Sequence, residues 1–420
     1  MRILYICHRF PFPPTRGGKI RPFNMIKHLG RSHEVTVASI ARSPAEAQAG
    51  EGLAAFCHRY EVAVVRAPIQ VLRMLGRLGT STPSSMGYFR SSRIARKING
   101  LLRTTRYDLI LVHCSSVAQY VAALEGVPKI LDFGDMDSQK WLDYAHFKPF
   151  PLSLGYRLEG VKLMRAEQHL AGRFDMCTAT TRAEWETLDG YRCASDTDWF
   201  PNGVDTEHFS PSHDPYDRNT IAFVGRMDYY PNQQGMFDFC ANTLPLLRQR
   251  RARVELTIIG AEPPPAVRKL GEIPGVIVTG TVPDVRPHVR RSALTVAPLS
   301  IARGTQNKIL ESMAMGVPVV TSPLGAAGVD AVPGEHLVVA RTPAEYAQAI
   351  LQMLDRPTDR ERLASAGRQR ILTHHRWETS MRKLDTIIER CLARGSRTRP
   401  PASSSERCVA AGMGRYFSSR

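Results

Sequence analysis

The chain has 420 residues, which is too many for a single hydrophobic core, so we expect two domains. Lysine and arginine exceed the acidic residues enough to give a formal net charge of +17, which indicates anionic partners such as nucleotides, phospholipids or nucleic acids. The eight cysteines are scattered, which argues against disulfides. The first apolar segment is too short for a signal peptide, and no apolar run reaches the roughly 18 residues of a transmembrane helix. We therefore expect a cytoplasmic protein.

The first predicted unit is a strand, a glycine-containing loop, a helix and a second strand. Residues 3–7 form a short apolar strand, FPFPPTRGG follows as a loop, residues 20–29 have helical spacing and residues 34–40 form the next strand. Gly17 and Gly18 would let the backbone approach a ligand and direct N–H groups at it. No GxGxxG is present, so a dinucleotide site is not indicated, and the glycines could equally turn the chain.

A basic stretch follows over residues 66–106, with nine lysines and arginines, no acidic residue and interleaved apolar side chains. This composition favours contact with an anionic membrane, such as the inner face of the plasma membrane. Nucleic acid is not expected, because aromatic residues are few and no binding motif is present. The alternative is the solvated face of two helices.

Carboxylates come next, after strands at residues 108–113 and 127–133 that are separated by a helix at 117–124. The run DFGDMDSQKW contains Asp135 and Asp137, whose spacing matches a pattern that holds a divalent metal in some sugar transferases. Because no further ligand lies at metal spacing, we expect no metal and assign Asp135 to sugar hydroxyls. A helix at 156–171 and a strand at 176–180 follow.

The Asn-Gly turn of FPNGVDTEHF and the polar residues 210–219 mark a domain boundary. Strands at 220–225, 254–260, 276–279 and 294–298 then alternate with helical segments. Three helices, at 344–354, 360–372 and 377–393, precede a basic tail that we expect to be disordered. The expected domains are 1–205 and 215–375, with a terminal helix at 376–393 and the tail at 394–420.

The stretch PLSIARGTQNKILESMAMGVPVVT predicts a strand, a loop at 301–306, a helix and a further strand. The first N–H groups of this helix, with Lys308 beside them, form a site for phosphate. Glu311 lies about one turn further on and can accept hydrogen bonds from sugar hydroxyls. The pattern suits a nucleoside diphosphate, although an ordinary βαβ crossover would look similar.

Together these motifs resemble the family 4 glycosyltransferases of GT-B type. The resemblance covers residues 1 to about 393 and is carried by FPFPPTRGG, FPNGVDTEHFSP, VGRMDYYPN, LTIIGAEPP, VTGTVPDV and RGTQNKILESMAMGVPVVTS. The runs DSQKW and GTQNKILE more narrowly resemble the sugar transferases of PEP-CTERM/exosortase exopolysaccharide systems. The implied fold is α/β, with two Rossmann-like, doubly wound domains facing across a cleft.

The resemblance implies retaining, metal-independent transfer of a hexose from a nucleotide sugar, without a cofactor, to a lipid-linked saccharide or polysaccharide acceptor. Arg226 matches the arginine that neutralises the donor diphosphate, Glu311 the ribose-binding glutamate, and Val282 the position whose main chain holds the base. We expect catalytic roles for Arg226, Lys308 and Asp135. We expect donor binding by Gly17, Gly18, Val282, Arg303, Gly304, Thr305, Gln306 and Glu311.

Three departures from the family pattern leave the sugar-contacting chemistry open. Arg303 replaces the first glutamate of the family's pair, and Tyr230, Pro231 and Asn232 stand where the family has a lysine that Lys308 could replace. Gly134 and Asp135 stand where the family has a histidine, and His113 is the next candidate for that role, or a structural residue. The alternatives are a GT-B nucleotide-sugar epimerase and a non-catalytic sugar-nucleotide-binding subunit.

Overall fold

The computed structural model describes residues 1–212 and 214–397. The chain divides into two compact units. The first consists of Met1–Ala179, Thr187–Asp198 and the described residues from Leu384 onwards, and the second of the described residues of Thr180–Glu186 and Trp199–Lys383. Each unit is built on one sheet.

The sheet of the first unit has seven strands in the order β3-β2-β1-β4-β5-β6-β7, and its first six strands pair in parallel. Strands β4 and β5 are buried along their whole length, as expected where helices cover both faces of a parallel sheet. The strands are β1 (Arg2–Cys7), β2 (Glu34–Ala41), β3 (Arg59–Val64), β4 (Leu109–His113), β5 (Lys129–Gly134), β6 (Met176–Ala179) and β7 (Thr197–Trp199).

Helices connect these strands. Helix α6 is the clearest amphipathic case, because Ile94, Ile98 and Leu101 recur at helical spacing and are buried in the core of the unit. The helices are α1 (Gly17–Leu29), α2 (Pro44–Gln48), α3 (Glu51–Ala54), α4 (Ala67–Leu75), α5 (Ser84–Tyr88), α6 (Ser92–Thr104), α7 (Ser115–Ala118), α8 (Asp137–His146), α9 (Leu152–Ala171) and α10 (Arg182–Gly190).

The sheet of the second unit has six parallel strands in the order β10-β9-β8-β11-β12-β13. Its central strand β11 is buried throughout and packs into a core of aliphatic and aromatic side chains. The strands are β8 (Asp217–Val224), β9 (Glu255–Ile259), β10 (Val276–Gly280), β11 (Ser292–Ala297), β12 (Val319–Thr321) and β13 (Val338–Val339).

The helices of the second unit complete its doubly wound architecture. They are α11 (Tyr230–Asp238), α12 (Leu244–Arg250), α13 (Pro265–Arg268), α14 (Arg286–Arg290), α15 (Asn307–Ala314), α16 (Pro323–Ala327), α17 (Pro343–Asp355) and α18 (Pro357–His374). The last helix, α19 (Trp377–Arg397), begins in this unit, and its residues from Leu384 belong to the first unit. A π-helical segment, Phe239–Thr243, joins α11 to α12, and a 3₁₀ turn, Lys269–Glu272, follows α13.

The predicted α/β class with two doubly wound units is confirmed, but several local predictions were wrong. The helix expected at 117–124 is only the four residues of α7. Helix α8 was not predicted, because the polar run after Asp137 shows little helical periodicity. The basic stretch contains three helices instead of two, and strand β8 begins at Asp217, inside the expected linker. Helix α19 continues to Arg397, so the tail expected from Arg394 begins helical, and its remainder lies outside the described residues.

The cysteines of the described residues are unpaired, and five of these seven are buried, as expected for reduced thiols. Cys408 lies outside the described residues. Over 1–212 and 214–397, no helix is both long enough and apolar enough to cross a membrane.

Candidate nucleotide-sugar site

In each sheet the strand order reverses at one point, where the chain stops adding strands on one side and continues on the other. In the second unit, β8, β9 and β10 run to one side and β11, β12 and β13 to the other, so the switch lies between β8 and β11. In the first unit it lies between β1 and β4. Ligands of open α/β sheets bind outside the carboxyl ends of the strands at such points. The predicted site residues of both units can therefore be located against these two positions.

In the second unit, the loop after β11 leads to the start of α15. Gly304 has a φ of 64°, in the left-handed region, and its carbonyl oxygen lies so close to Gly328 that a Cβ there would collide with it. Thr305 Oγ1 and Asn307 Oδ1 are buried and have no hydrogen-bond partner among the described residues. The first N–H groups of an α-helix also lack intrahelical acceptors. This loop and helix start therefore form a polar site that a ligand would complete.

Lys308 and Glu311 lie one turn apart on α15 and are both partly buried. The Lys308 ammonium donates to Asn232 Oδ1 at 2.6 Å and lies 4.7 Å from the centroid of the Phe223 ring. Burial lowers the pKa of Lys308 to about 7, with the charge of Glu311 opposing the shift. Burial likewise raises the pKa of Glu311 to about 7, against the charge of Lys308. Both groups therefore titrate near neutral pH, where an anionic ligand would favour the charged lysine.

Arg226 follows β8, on the other side of the switch point. Its guanidinium donates to Asp228 Oδ1 at 3.0 Å and Oδ2 at 2.7 Å, and it also pairs with Glu262. The hydrogen bond to Asp228 is the main reason why the pKa of Arg226 is raised. The guanidinium that is predicted to bind the diphosphate is thus paired with two carboxylates, and a bound diphosphate would compete with them.

Arg303 and Val282 complete the predicted donor residues of this unit. The Arg303 guanidinium lies 3.7 Å from the carboxylate of Glu184, whose side chain is only 2% exposed. Val282 lies in the loop after β10 and packs against the cluster that contains Ile259 and Met315. Gln306 donates through Nε2 to the carbonyl of Arg303 at 3.2 Å, which ties the loop together.

In the first unit, a buried polar network lies at the carboxyl ends of β4 and β5. Asp132 has no exposed surface and receives two hydrogen bonds from Arg21, at 2.8 and 2.9 Å. It also accepts from His113 Nδ1 at 2.7 Å and from Thr178 Oγ1 at 2.9 Å. Burial alone would raise the pKa of Asp132, but Arg21 and His113 hold it well below its usual range. Sequence reasoning named His113 and missed Arg21, which lies more than a hundred residues from its partner.

The other predicted residues of the first unit lie near this network. Gly134 ends β5 with a φ of 72°, and a Cβ there would lie 3.4 Å from His113 Cε1. The imidazole of His113 thus lies beside the position where the family has its histidine. Asp135 follows directly and is partly buried. Gly17 and Gly18, expected in a loop, are instead the first residues of α1, where their N–H groups still lack intrahelical acceptors.

Across 1–212 and 214–397, no group of three or more His, Cys, Asp or Glu side chains has an arrangement that could hold a metal ion. Asp137 is the first residue of α8, and burial raises its pKa. No third His, Cys, Asp or Glu side chain of the described residues joins Asp135 and Asp137 in such a group.

Comparison with known families supports the interpretation of both units. Residues 16–208 match the family described as "Glycosyltransferase Family 4", and residues 218–356 match "Glycosyl transferases group 1". The chain carries two glycosyltransferase domains. The predicted enzyme class, a glycosyltransferase, is thereby confirmed.

Named relatives are more distant. The chain is 29% identical over 249 residues to a D-inositol 3-phosphate glycosyltransferase of Frankia alni, covering 53% of this chain and 61% of that protein. It is 26% identical over 324 residues to a protein of the same name from Thermobifida fusca, covering 68% of this chain and 71% of that one. The chain thus spans less than two thirds of the length of the Frankia relative.

Solved structures establish the fold of these glycosyltransferase domains. The sucrose-phosphate synthase of Thermosynechococcus elongatus matches with a TM-score of 0.70 at 14% identity, over 94% of this chain and 100% of that one. HepE of Anabaena, solved in complex with UDP-glucose, matches with a TM-score of 0.65 at 15% identity, over 93% of this chain and 100% of that one. The predicted GT-B fold is confirmed.

Proposed function

We propose that this glycosyltransferase moves a sugar from a nucleotide-sugar donor to a lipid-linked saccharide or exopolysaccharide acceptor, with retention of anomeric configuration and without a metal. Gly304, Thr305, Gln306 and Glu311 bind the donor, and Arg303 borders the site through its loop. Lys308 and Arg226 balance the charge of the departing nucleoside diphosphate. In the first unit, Gly17 and Gly18 offer N–H groups, and Asp135 contacts sugar hydroxyls.

The start of α15 carries this proposal. Two buried oxygen atoms, Thr305 Oγ1 and Asn307 Oδ1, have no partner among the described residues, and the first N–H groups of the helix lie beside them. A nucleoside diphosphate supplies acceptors for those N–H groups, and its hydroxyl groups can donate to the oxygens. Fixed dipoles and cations also stabilise the charge that develops on a leaving diphosphate.

Metal independence is supported by the composition of the site. The groups at the carboxyl ends of β8 and β11 include Arg226 and Lys308, so positive charge is available from the chain itself. We therefore expect full turnover in excess chelator. Loss of turnover in chelator, with recovery on adding magnesium or manganese, would instead support a metal held by Asp135 and Asp137.

The donor and acceptor are proposed from the resemblances. HepE of Anabaena was solved with UDP-glucose bound, which makes a uridine diphosphate sugar the first donor to test. The narrower resemblance of DSQKW and GTQNKILE favours an exopolysaccharide precursor, assembled on a lipid at the cytoplasmic face of a membrane. The names of the Frankia and Thermobifida relatives supply D-inositol 3-phosphate as a comparison acceptor.

A panel of uridine, guanosine and adenosine diphosphate sugars tests the proposal through thermal stabilisation of the protein. The stabilising donor is then incubated with acceptor lipids, and the release of nucleoside diphosphate is measured. Release together with an α-linked product from an α-linked donor supports a retaining transferase. Binding without release supports a non-catalytic subunit, and conversion of the donor sugar into its epimer supports an epimerase.

A further inference from the structure

Exposed apolar side chains are concentrated on one part of the first unit. Among the described residues, fifteen large apolar side chains are exposed, and ten of them lie in just two segments, 69–78 and 147–158. The most exposed are Phe150 at 81%, Leu72 at 68% and Leu78 at 60%. Isolated exposed leucines need no explanation, but a concentration of this kind marks an interaction surface.

The structure joins the two segments. Lys162 of α9 donates to the carbonyl oxygens of Leu78 at 2.7 Å and Arg77 at 3.3 Å, just after α4 ends. Leu154, Leu158 and Lys162 are spaced four residues apart, so they follow one face of α9 toward that contact. The turn after α4 therefore lies against α9. We use the name apolar ridge for six exposed side chains of these two adjoining segments, Leu72, Leu75, Leu78, Phe150, Leu154 and Leu158.

The exposed charges of the two ridge segments have one sign. Segments 66–78 and 146–165 contain seven lysines and arginines, of which Arg66, Arg73, Arg157 and Arg165 are exposed. Their one acidic residue, Glu159, is buried and accepts hydrogen bonds from the backbone N–H groups of Ser84 and Ser85 at 3.0 and 2.9 Å. The ridge is thus an apolar surface with a cationic border.

We propose that the apolar ridge inserts into the interface of an anionic lipid bilayer, with the arginines on the headgroup phosphates. Leucine and phenylalanine bury apolar area among acyl chains without needing hydrogen-bond partners, while arginine is attracted to negatively charged headgroups. A second copy of the chain fits less well, because a two-fold contact would place the same cationic border against itself. This proposal rests on the proposed function in one respect only, namely that membrane binding would bring the donor site to a lipid-linked acceptor.

The surface differs from the one that the basic stretch alone suggests. In α6, the apolar residues Ile94, Ile98 and Leu101 are buried in the core, and Lys97 pairs with Glu61 at 2.8 Å. Arg93 and Arg96 are exposed, but none of the exposed large apolar side chains lies in α6. The inserting part of the stretch is therefore α4 with the turn after it, together with α9.

Flotation with vesicles of phosphatidylglycerol and of phosphatidylcholine tests the proposal on the full chain. We expect binding to the anionic vesicles, reduced but not abolished as salt is raised from about 0.1 M to about 1 M, because screening removes the arginine attraction and leaves the apolar contact. The variant Leu72→Ser/Leu158→Ser should lose about tenfold or more in vesicle partitioning, since two leucine side chains no longer enter the bilayer.

The matched control is Ile277→Ser/Val332→Ser, which removes two comparably exposed apolar side chains from the second unit and should leave partitioning unchanged. Both variants should keep the melting temperature of the wild type, because the side chains are exposed. Equal partitioning of the ridge variant and the control would overturn the proposal. So would a dimer in sedimentation velocity that the ridge substitutions dissolve while no vesicle binding is seen, because the ridge would then bind a second copy.

Donor binding in the absence of lipid keeps this result separate from the proposed function. Thermal stabilisation by nucleotide sugars should be the same in the wild type and in Leu72→Ser/Leu158→Ser. Failure of vesicle binding with intact donor binding would remove the ridge proposal alone. Failure of donor binding with intact vesicle binding would remove the proposed function alone.

Discussion

The ammonium group of Lys308 on α15 lies 2.6 Å from Oδ1 of Asn232 on α11. Asn232 is one of the three residues that stand where the family has a lysine, so the charge of Lys308 reaches that position from another helix of the same unit. The Asn232 amide in turn donates to the carbonyl oxygen of Arg226 at 2.7 Å. This chain of contacts connects the two cations to which we assign the donor diphosphate.

The pH dependence of donor binding tests Lys308. Its pKa of about 7 in the folded protein lies below the usual lysine value, so its charge is lost as the pH rises above neutrality. If this charge holds the diphosphate, its contribution should weaken by up to about tenfold per pH unit above pH 7. The variant Lys308→Arg should keep its charge, and with it the contribution to binding, across this pH range, because arginine stays protonated.

The measurement is the Kd of UDP-glucose, or of the donor found in the panel, between pH 6 and 9 in both proteins. The pKa of Glu311 depends on the charge at residue 308, so the same comparison is also made with Glu311→Gln in both proteins, where the difference between the two profiles isolates the lysine. Parallel profiles would show that Lys308 does not contact the diphosphate. Binding of the nucleoside monophosphate provides a second comparison, since a lysine on the outer phosphate should affect it less.

Glu311 should contribute to recognition of the ribose. The substitution Glu311→Ala removes a hydrogen-bond acceptor, and losing a bond to a charged group costs about 1.5–3 kcal/mol. We expect that loss in the Kd of a ribonucleotide donor, and a smaller loss for the donor with a 2′-deoxyribose. Glu361→Ala, which changes an exposed glutamate of the same unit, serves as the control. An equal loss for both sugars in Glu311→Ala would contradict the ribose assignment.

Arg226 should bind the donor more tightly once a competing carboxylate is neutralised. Glu262 is 58% exposed and its ion pair with Arg226 is therefore weak, at about 0–1 kcal/mol for exposed pairs. Because about 1 kcal/mol corresponds to about fivefold in Kd, the variant Glu262→Gln should strengthen donor binding by up to about fivefold. Arg226→Ala should weaken donor binding in isothermal titration. The control Glu272→Gln, at another exposed glutamate, should leave donor affinity unchanged. Weaker binding in Glu262→Gln would indicate that Glu262 itself contacts the donor.

Asp132 should be essential for stability. Removing one partner of a buried ion pair costs about 3–5 kcal/mol, so Asp132→Asn should lower the free energy of unfolding by about that amount. The double variant Arg21→Met/Asp132→Asn should regain part of it, because no buried cation is left unpaired. Urea unfolding measures both variants, and a full loss in the double variant would show that the pair is not the cause.

The same aspartate should contribute to acid unfolding. Its pKa in the folded protein is depressed by Arg21 and His113, so its contribution to stability is complete above the unfolded value of about 4. That contribution should be lost as the pH falls below about 4 toward the folded-state value. In Asp132→Asn this part of the acid dependence should be absent.

The sequence alone was sufficient to predict the fold class and the main loop and helix of the candidate donor site. The alternation of apolar strands with helical segments predicted two doubly wound units, because buried parallel strands need continuous apolar runs and their helices need apolar residues at a spacing of 3.6. The loop and helix around Gly304, Lys308 and Glu311 were predicted for the same reason, since neighbours in sequence on one turn of a helix are neighbours in space.

Only the tertiary structure decided the contacts between residues far apart in the chain. Arg21 and Asp132, Lys308 and Asn232, and Leu78 and Lys162 are each brought together by the packing of separate elements, to which no local spacing points. The basic stretch shows this most clearly. Its apolar residues look alike in sequence, but those of α6 are buried against the sheet while those of α4 face solvent, because burial depends on which face of each helix the sheet covers.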